Sequence, residues 1–266
     1  MKFLKRTVIV CVFFLIASLV QAHEFWLQPA RFKFKVGDTM DFNFMVGANF
    51  EGEFWDLKRQ KVARLLHLSG GKSENLINSL QEGKGKKVSV VLQEEGTHLI
   101  TMQSNNSFMK MDGEEFNAYL KEDGLDEILE VRTKLGKLAD SARENYARCA
   151  KLLVQVGTQT DDTYKVVIGL PLEIVPLSNP YAIKKTDELK FKVLFQGKPL
   201  SFAQMKVWNK GEGKTFVQNI YTDKEGTFTT RLSNSGMWMV STVKMIPSKQ
   251  ATADWQSFWG TLVFGL

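Results

Sequence analysis

Leu189-Lys190-Phe191-Lys192-Val193-Leu194-Phe195 is followed by Gln196-Gly197-Lys198-Pro199. Apolar side chains alternate with lysines, the period of a strand that buries one face. The Gly-Lys-Pro stretch reads as a turn. The same pattern continues downstream. Met205, Val207 and Trp208 fall in a further strand, Thr222-Asp223-Lys224-Glu225-Gly226 in a tight turn, and 227–232 and 236–243 in two more strands. Trp255, Phe258, Trp259, Leu262 and Phe264 close the chain. This order of strands and turns is that of a small immunoglobulin-like or transthyretin-like sandwich.

Period-two alternation also governs the first third. Phe32, Phe34 and Val36 alternate with Arg31, Lys33 and Lys35, and Met40, Phe42 and Phe44 with Asp41 and Asn43. Val88, Val90 and Leu92 repeat the pattern, and Leu99, Ile100 and Met102 complete the set. Glycines at 37, 47, 70, 71, 83 and 96 punctuate these runs as turns. Between the two β-rich parts lies a stretch without proline, rich in Ala, Leu, Lys and Glu. There Asp112 and Glu115 read as a capping box. Phe116, Tyr119 and Leu120, then Leu125, Ile128 and Leu129, then Tyr146, Cys149 and Leu153 read as apolar helix faces. Gly124 and Gly136 read as breaks, and Arg143, Glu144 and Arg148 as an exposed helix face.

The expected fold is therefore mainly β: two antiparallel β-sandwich domains, immunoglobulin-like or transthyretin-like, with an inserted helical segment. The expected division is a signal peptide over 1–22, an N-terminal sandwich over 23–111, the helical insertion over 112–156 and an immunoglobulin-like domain over 157–266. Lys2, Lys5 and Arg6 precede an apolar run over 8–20, and Val20 and Ala22 occupy the small-residue positions of a cleavage site. That run is shorter than the roughly 20 residues of a membrane span. The reading is a periplasmic protein with no stable membrane insertion after cleavage.

Charge and cysteines narrow the function. The net charge of +6 falls to about +3 without the three basic leader residues, too little and too dispersed for nucleic acid. Lys84-Gly85-Lys86-Lys87 reads as a solvated loop. Removing the leader removes Cys11 and leaves Cys149 alone, so no internal disulfide can form, and Cys149 reads as buried and inert. There is no Cys-x-x-Cys, phosphate loop or nucleophile elbow, so the chain is not read as an enzyme. The ten methionines fall mostly in apolar strands, where core filling is the stronger reading. Asp161-Asp162 reads as a turn.

Cleavage after Ala22 makes His23 the first mature residue. Its α-amine and imidazole, with ordinary pKa values of about 8 and 6.5, form a chelate that suits nickel, cobalt, copper or zinc. Phe25 and Trp26 would pin this terminus to the sandwich. Two donors need a partner. His98 shares a strand face with Ile100 and Met102, and His67 sits between Leu66 and Leu68. Each reads either as a metal ligand or as a partly buried structural histidine. Glu24 offers oxygen, although a surface charge is the commoner role.

Four stretches carry a family resemblance. They are His23-Glu24-Phe25-Trp26; 115–125 of the helical part; 172–181 together with 194–200; and Asp254-Trp255-Gln256-Ser257-Phe258-Trp259. On these the sequence resembles the exported, soluble members of the nickel-uptake (NikM-like) family of domains of unknown function. The resemblance implies a role in nickel or cobalt uptake beside a membrane transporter component, with the family's N-terminal His motif mapping onto His23. It also implies a His before the Met of the penultimate strand, where this chain has Lys244 before Met245. The first expectation is a periplasmic binding protein for a divalent transition metal held by His23 with His98 or His67. The alternative is a non-metal envelope module that binds protein or glycan through exposed Trp208, Trp238, Trp255 or Trp259. A third reading is a copper enzyme with a terminal histidine brace.

Overall fold

The computed structural model describes residues 24–184, 187–232 and 235–266. The expected signal peptide and His23 lie outside the described residues. Before the helices run β1 (Glu24–Pro29), β2 (Lys33–Phe34), β3 (Thr39–Ala48), β4 (Glu51–Phe54), β5 (Val62–Ser69), β6 (Lys72–Asn75), β7 (Lys87–Val91), β8 (Gly96–Ser104) and β9 (Ser107–Met111). The helices are α1 (Gly113–Glu122) and α2 (Asp126–Lys134). After them run β10 (Ala142–Val156), β11 (Leu172–Pro176), β12 (Glu188–Phe195), β13 (Lys198–Pro199), β14 (Gln204–Gly211), β15 (Lys214–Tyr221), β16 (Thr227–Arg231), β17 (Met237–Pro247) and β18 (Trp255–Gly265). The protein is mainly β.

A ten-stranded sheet runs through both halves of the chain in the order β15-β14-β17-β18-β10-β8-β5-β6, with β2 and β9 also pairing with β10. Its two faces bury different residues, as the alternation of strand side chains requires. Ile100, Met102, Leu152, Val154 and Met239 pack with Phe25, Trp26, Met40, Phe42 and Val88, from the sheet of β1, β3, β4 and β7. Leu99, Cys149, Leu153, Val240 and Leu262 pack with Ile174, Phe191, Val193 and Phe228, from the sheet of β11, β12, β13 and β16. The two expected sandwiches thus share a central sheet. No helix among the described residues is long and apolar enough to cross a membrane.

The helical insertion is shorter than expected. It ends at Lys134, and 142–156, read as helix from Tyr146, Cys149 and Leu153, is the strand β10. β10 pairs in parallel with β18 and antiparallel with β8 and β9. Its second half is buried on both faces, so no alternation of apolar and polar residues is left to mark it as a strand. The exposed helix face read at Arg143, Glu144 and Arg148 is corrected with it. Arg143 pairs with Asp254, Glu144 is buried, and Arg148 lies over the rings of Tyr146 and Phe25. Asp112 is the N-cap of α1, but its side chain makes no capping hydrogen bond; the capping box does not form. The breaks at Gly124 and Gly136 are as expected, both at φ of 66°.

Candidate functional site

Glu24 opens β1 opposite Gly47 of β3. Phe25, Trp26 and Leu27 after it are buried, and the Thr261 hydroxyl donates to the Phe25 carbonyl at 2.8 Å. The start of β1 is thus pinned as its aromatic residues predict. Glu24 itself is not a surface charge but is only 3% exposed.

Three other elements converge on it. Asp123 caps the C-terminal end of α1. The turn that follows is bolted to β14, where Gln204 Nε2 donates to the Glu122 carbonyl at 3.0 Å. A Cβ on Gly124 would come within 2.7 Å of the Gln204 Cβ, so the turn needs glycine both for its positive φ and for this approach. Lys206 of β14 reaches into the junction. Its Nζ lies 2.6 Å from Asp123 Oδ1, 3.8 Å from Glu122 Oε1 and 4.0 Å from Glu24 Oε1. Ser241 of β17 donates to Glu24 Oε1 at 3.5 Å and accepts from the Trp208 indole at 3.1 Å.

The hydrogen bonding is incomplete. Glu24 Oε2 and Asp123 Oδ2 are buried and have no hydrogen-bond partner. Both residues, with Gln204, Lys206, Ser241 and Trp259, line a cavity of about 10 Å³, room for one water or one ion. Burial pushes the Glu24 carboxyl up to about 7; Lys206 opposes this and Asp123 adds to it. Burial raises Asp123 as well, against the pull of Lys206. Burial pulls the Lys206 ammonium down, but Asp123, Glu24 and Glu122 outweigh it and the net shift is upward.

A third buried carboxylate adjoins this junction. Glu144 of β10 is 1% exposed and is pushed up to about 7 by burial. It accepts from Ser257 and, at 3.3 Å, from the Tyr119 hydroxyl, while its Oε2 has no partner. Ser257 also accepts from the Trp259 indole at 3.1 Å, and Trp259 stacks on Tyr119 with centroids 5.7 Å apart.

The structure brings His67 and His98 together, away from Glu24. His98 Nε2 lies 2.8 Å from the Glu94 carbonyl, an acceptor only, so this nitrogen carries the proton. His98 Nδ1 must then accept from His67 Nε2, 2.8 Å away. Both nitrogens of His98 are engaged, and His67 Nδ1 lies 3.7 Å from Glu74 Oε2. Burial, then His98, pushes His67 down to about 4, and burial lowers His98 too. The pair is neutral at pH 7. Glu24 touches Ser241 on β17, and β8 lies three strand positions further along the sheet, about 14 Å at the usual spacing.

Among the described residues no group of three or more His, Cys, Asp and Glu side chains forms a metal-holding set. Asp161 accepts from the Thr97 and Thr163 amides, a turn role as expected. Cys149 is buried, its thiol pushed up to about 12 by burial. Trp208, Trp238 and Trp255 are core residues, so they offer no exposed aromatic face.

Sequence reasoning missed Asp123, Lys206 and Glu144. Lys206 had a signal: it shares a strand face with Gln204 and Trp208, and both are buried. A lysine in that register points inward and needs an acid. Asp123 and Glu144 carried none.

A family model described as a domain of unknown function (DUF4198) matches residues 20–245. No curated protein matches the chain. Among solved structures, it is similar to the N-terminal four Ig domains of Dscam1 isoform 9.44 with zinc, at 10% identity and a TM-score of 0.23, covering 91% of this chain and 52% of that one. It is also similar to dimeric latent PorU from Porphyromonas gingivalis, at 9% identity and a TM-score of 0.19, over 90% and 20% of the two chains. Three N-terminal domains of the bacteriophage RB49 outer capsid protein Hoc match at 10% identity and a TM-score of 0.19, over 91% and 59%. The chain spans about half the length of the Dscam1 fragment. Superpositions this loose bear on neither ligand nor activity.

Proposed function

The chain belongs to the DUF4198 family, a family of unknown function, and we propose that within it this member is an exported binding protein for a divalent transition metal. The metal is nickel, cobalt or copper, and the role is as an accessory to a membrane uptake component. The donors in this proposal are the α-amine and imidazole of His23, exposed by cleavage after Ala22, with the carboxylates of Glu24 and Asp123.

One observation supports it above the others. Glu24 Oε2 and Asp123 Oδ2 are buried without partners on the wall of one small cavity. Orphaned polar atoms in a folded interior are costly, which argues for a ligand that satisfies them. A single ammonium already reaches both carboxylates, so both lie within reach of one cation. His23 is one peptide bond from Glu24. Nitrogen donors from it together with two carboxylate oxygens make a mixed set that favours first-row transition ions over magnesium or calcium. His98 spends both ring nitrogens inside the fold, so the oxygen donors at β1 take the place first read for it.

The test is a nickel and copper titration of mature protein against a version carrying one extra residue before His23. The extension removes the free amine from the chelate, and affinity is expected to fall at least about tenfold. Equal affinities would end the terminal-chelate reading. Asp123→Asn is expected to weaken nickel binding in the same assay while leaving the His67–His98 pair in place.

A further inference from the structure

We propose that Lys206 is the tethered competitor of this cation site, an ammonium that holds the two buried carboxylates until a metal displaces it toward Glu122. The inference rests on the metal-binding reading above and adds how the site is regulated.

Lys206 Nζ lies 2.6 Å from Asp123 Oδ1 and 4.0 Å from Glu24 Oε1. The other oxygen of each carboxylate has no partner. One ammonium therefore serves half of each acid. Glu24 and Asp123 are 3% and 6% exposed and both line the cavity, so the acidic pair is a built interior site rather than a surface cluster.

Charge counting gives the direction. With both acids ionised, two carboxylates and one ammonium leave one negative charge uncompensated, whereas two carboxylates and a dication balance. A dication cannot share the cavity with an ammonium a few ångströms away, because the two repel strongly where water is excluded. The lysine must leave first, and the structure provides a destination. Glu122 Oε1 already lies 3.8 Å from Nζ, and the Glu122 side chain is 44% exposed. A small rotation of the flexible lysine stem would take the ammonium from the buried acid to the solvated one. Glu122 is held beside the site because Gln204, two residues from Lys206 on the same strand, anchors its carbonyl. Each arriving metal thus breaks one ion pair and makes another at the surface, which lowers affinity and eases release.

The experiment is a nickel titration of the mature chain, with nickel alone, of wild type, Lys206→Met and Glu122→Gln, each checked for cooperative unfolding. Lys206→Met removes the competitor and is expected to bind roughly tenfold tighter or better. Glu122→Gln removes the destination and is expected to bind several-fold weaker, although Glu122 is not among the proposed donors. Wild-type binding with both variants unchanged overturns the inference and leaves the metal reading standing. Binding by Lys206→Met alone overturns both, because no metal then displaces the lysine of the wild-type chain. Binding by none of the three overturns both. Should Lys206→Met not fold, Glu122→Gln decides: a weaker complex upholds the displacement and an unchanged one overturns it.

Discussion

Lys151→Met is expected to destabilise the protein by about 3–5 kcal/mol, the usual result of removing one partner from a buried ion pair. Lys151 and Glu173 are each 1% exposed and lie 2.6 Å apart. The ammonium also donates to the Val166 carbonyl at 3.1 Å. Glu173 accepts from the backbone amides of Ile168, Gly169 and Leu170 at 2.9–3.1 Å. The pair therefore ties the connection after β10 to the start of β11. Methionine keeps the stem but strands a carboxylate in the interior. The double variant Lys151→Met with Glu173→Gln removes that stranded charge while keeping an oxygen for the amides, and should recover at least half of the loss. Urea unfolding of the two variants measures this directly. A single variant within about 1 kcal/mol of wild type would mean that water reaches the pair.

The parts of this fold that one face of water shapes were open to reading. Phe42 and Phe44, Val88 and Val90, and Leu189, Phe191 and Val193 alternate with polar residues and are buried as strand faces. α1 and α2 showed themselves through Phe116, Tyr119, Leu120 and Ile128 at helical spacing. β10 was misread for a physical reason. With a sheet packed on each face, Ala150 to Val156 have no solvent side, and the signal that separates strand from helix vanishes. The central sheet was invisible because strand pairing between β10 and β18 joins residues more than a hundred positions apart. At the site, burial of Phe25 and Trp26 beside Glu24 followed from composition. That the acids meeting there are Asp123 and Glu122 depends on how the α1–α2 turn docks on β14, and no local pattern encodes a docking.

Glu144→Gln is expected to stabilise the protein at pH 8 relative to pH 4 by about 3 kcal/mol more than wild type changes over the same range. Burial lifts the Glu144 carboxyl from its ordinary 4.5 to about 7. Because the folded-state value is raised, the folded chain holds this proton more tightly than the unfolded chain. Its contribution is fully present below about pH 4.5 and is lost as pH rises through about 7, beyond which the loss is constant. Glutamine keeps an oxygen for Ser257 and the Tyr119 hydroxyl and has no proton to lose. The difference between variant and wild type should therefore rise between those two values and then level off. Other groups tilt the wild-type curve but cancel in the difference, Glu24 and His67 among them. Glu24 acts in the same direction as Glu144. His67, pushed down to about 4, acts oppositely, costing stability as pH falls below its ordinary 6.5. Denaturant unfolding of both proteins at several pH values separates these contributions. A difference that stays flat from pH 4 to pH 8 would mean that Glu144 ionises in the folded chain as it does in water, and that the interior around Tyr119 and Trp259 is wet.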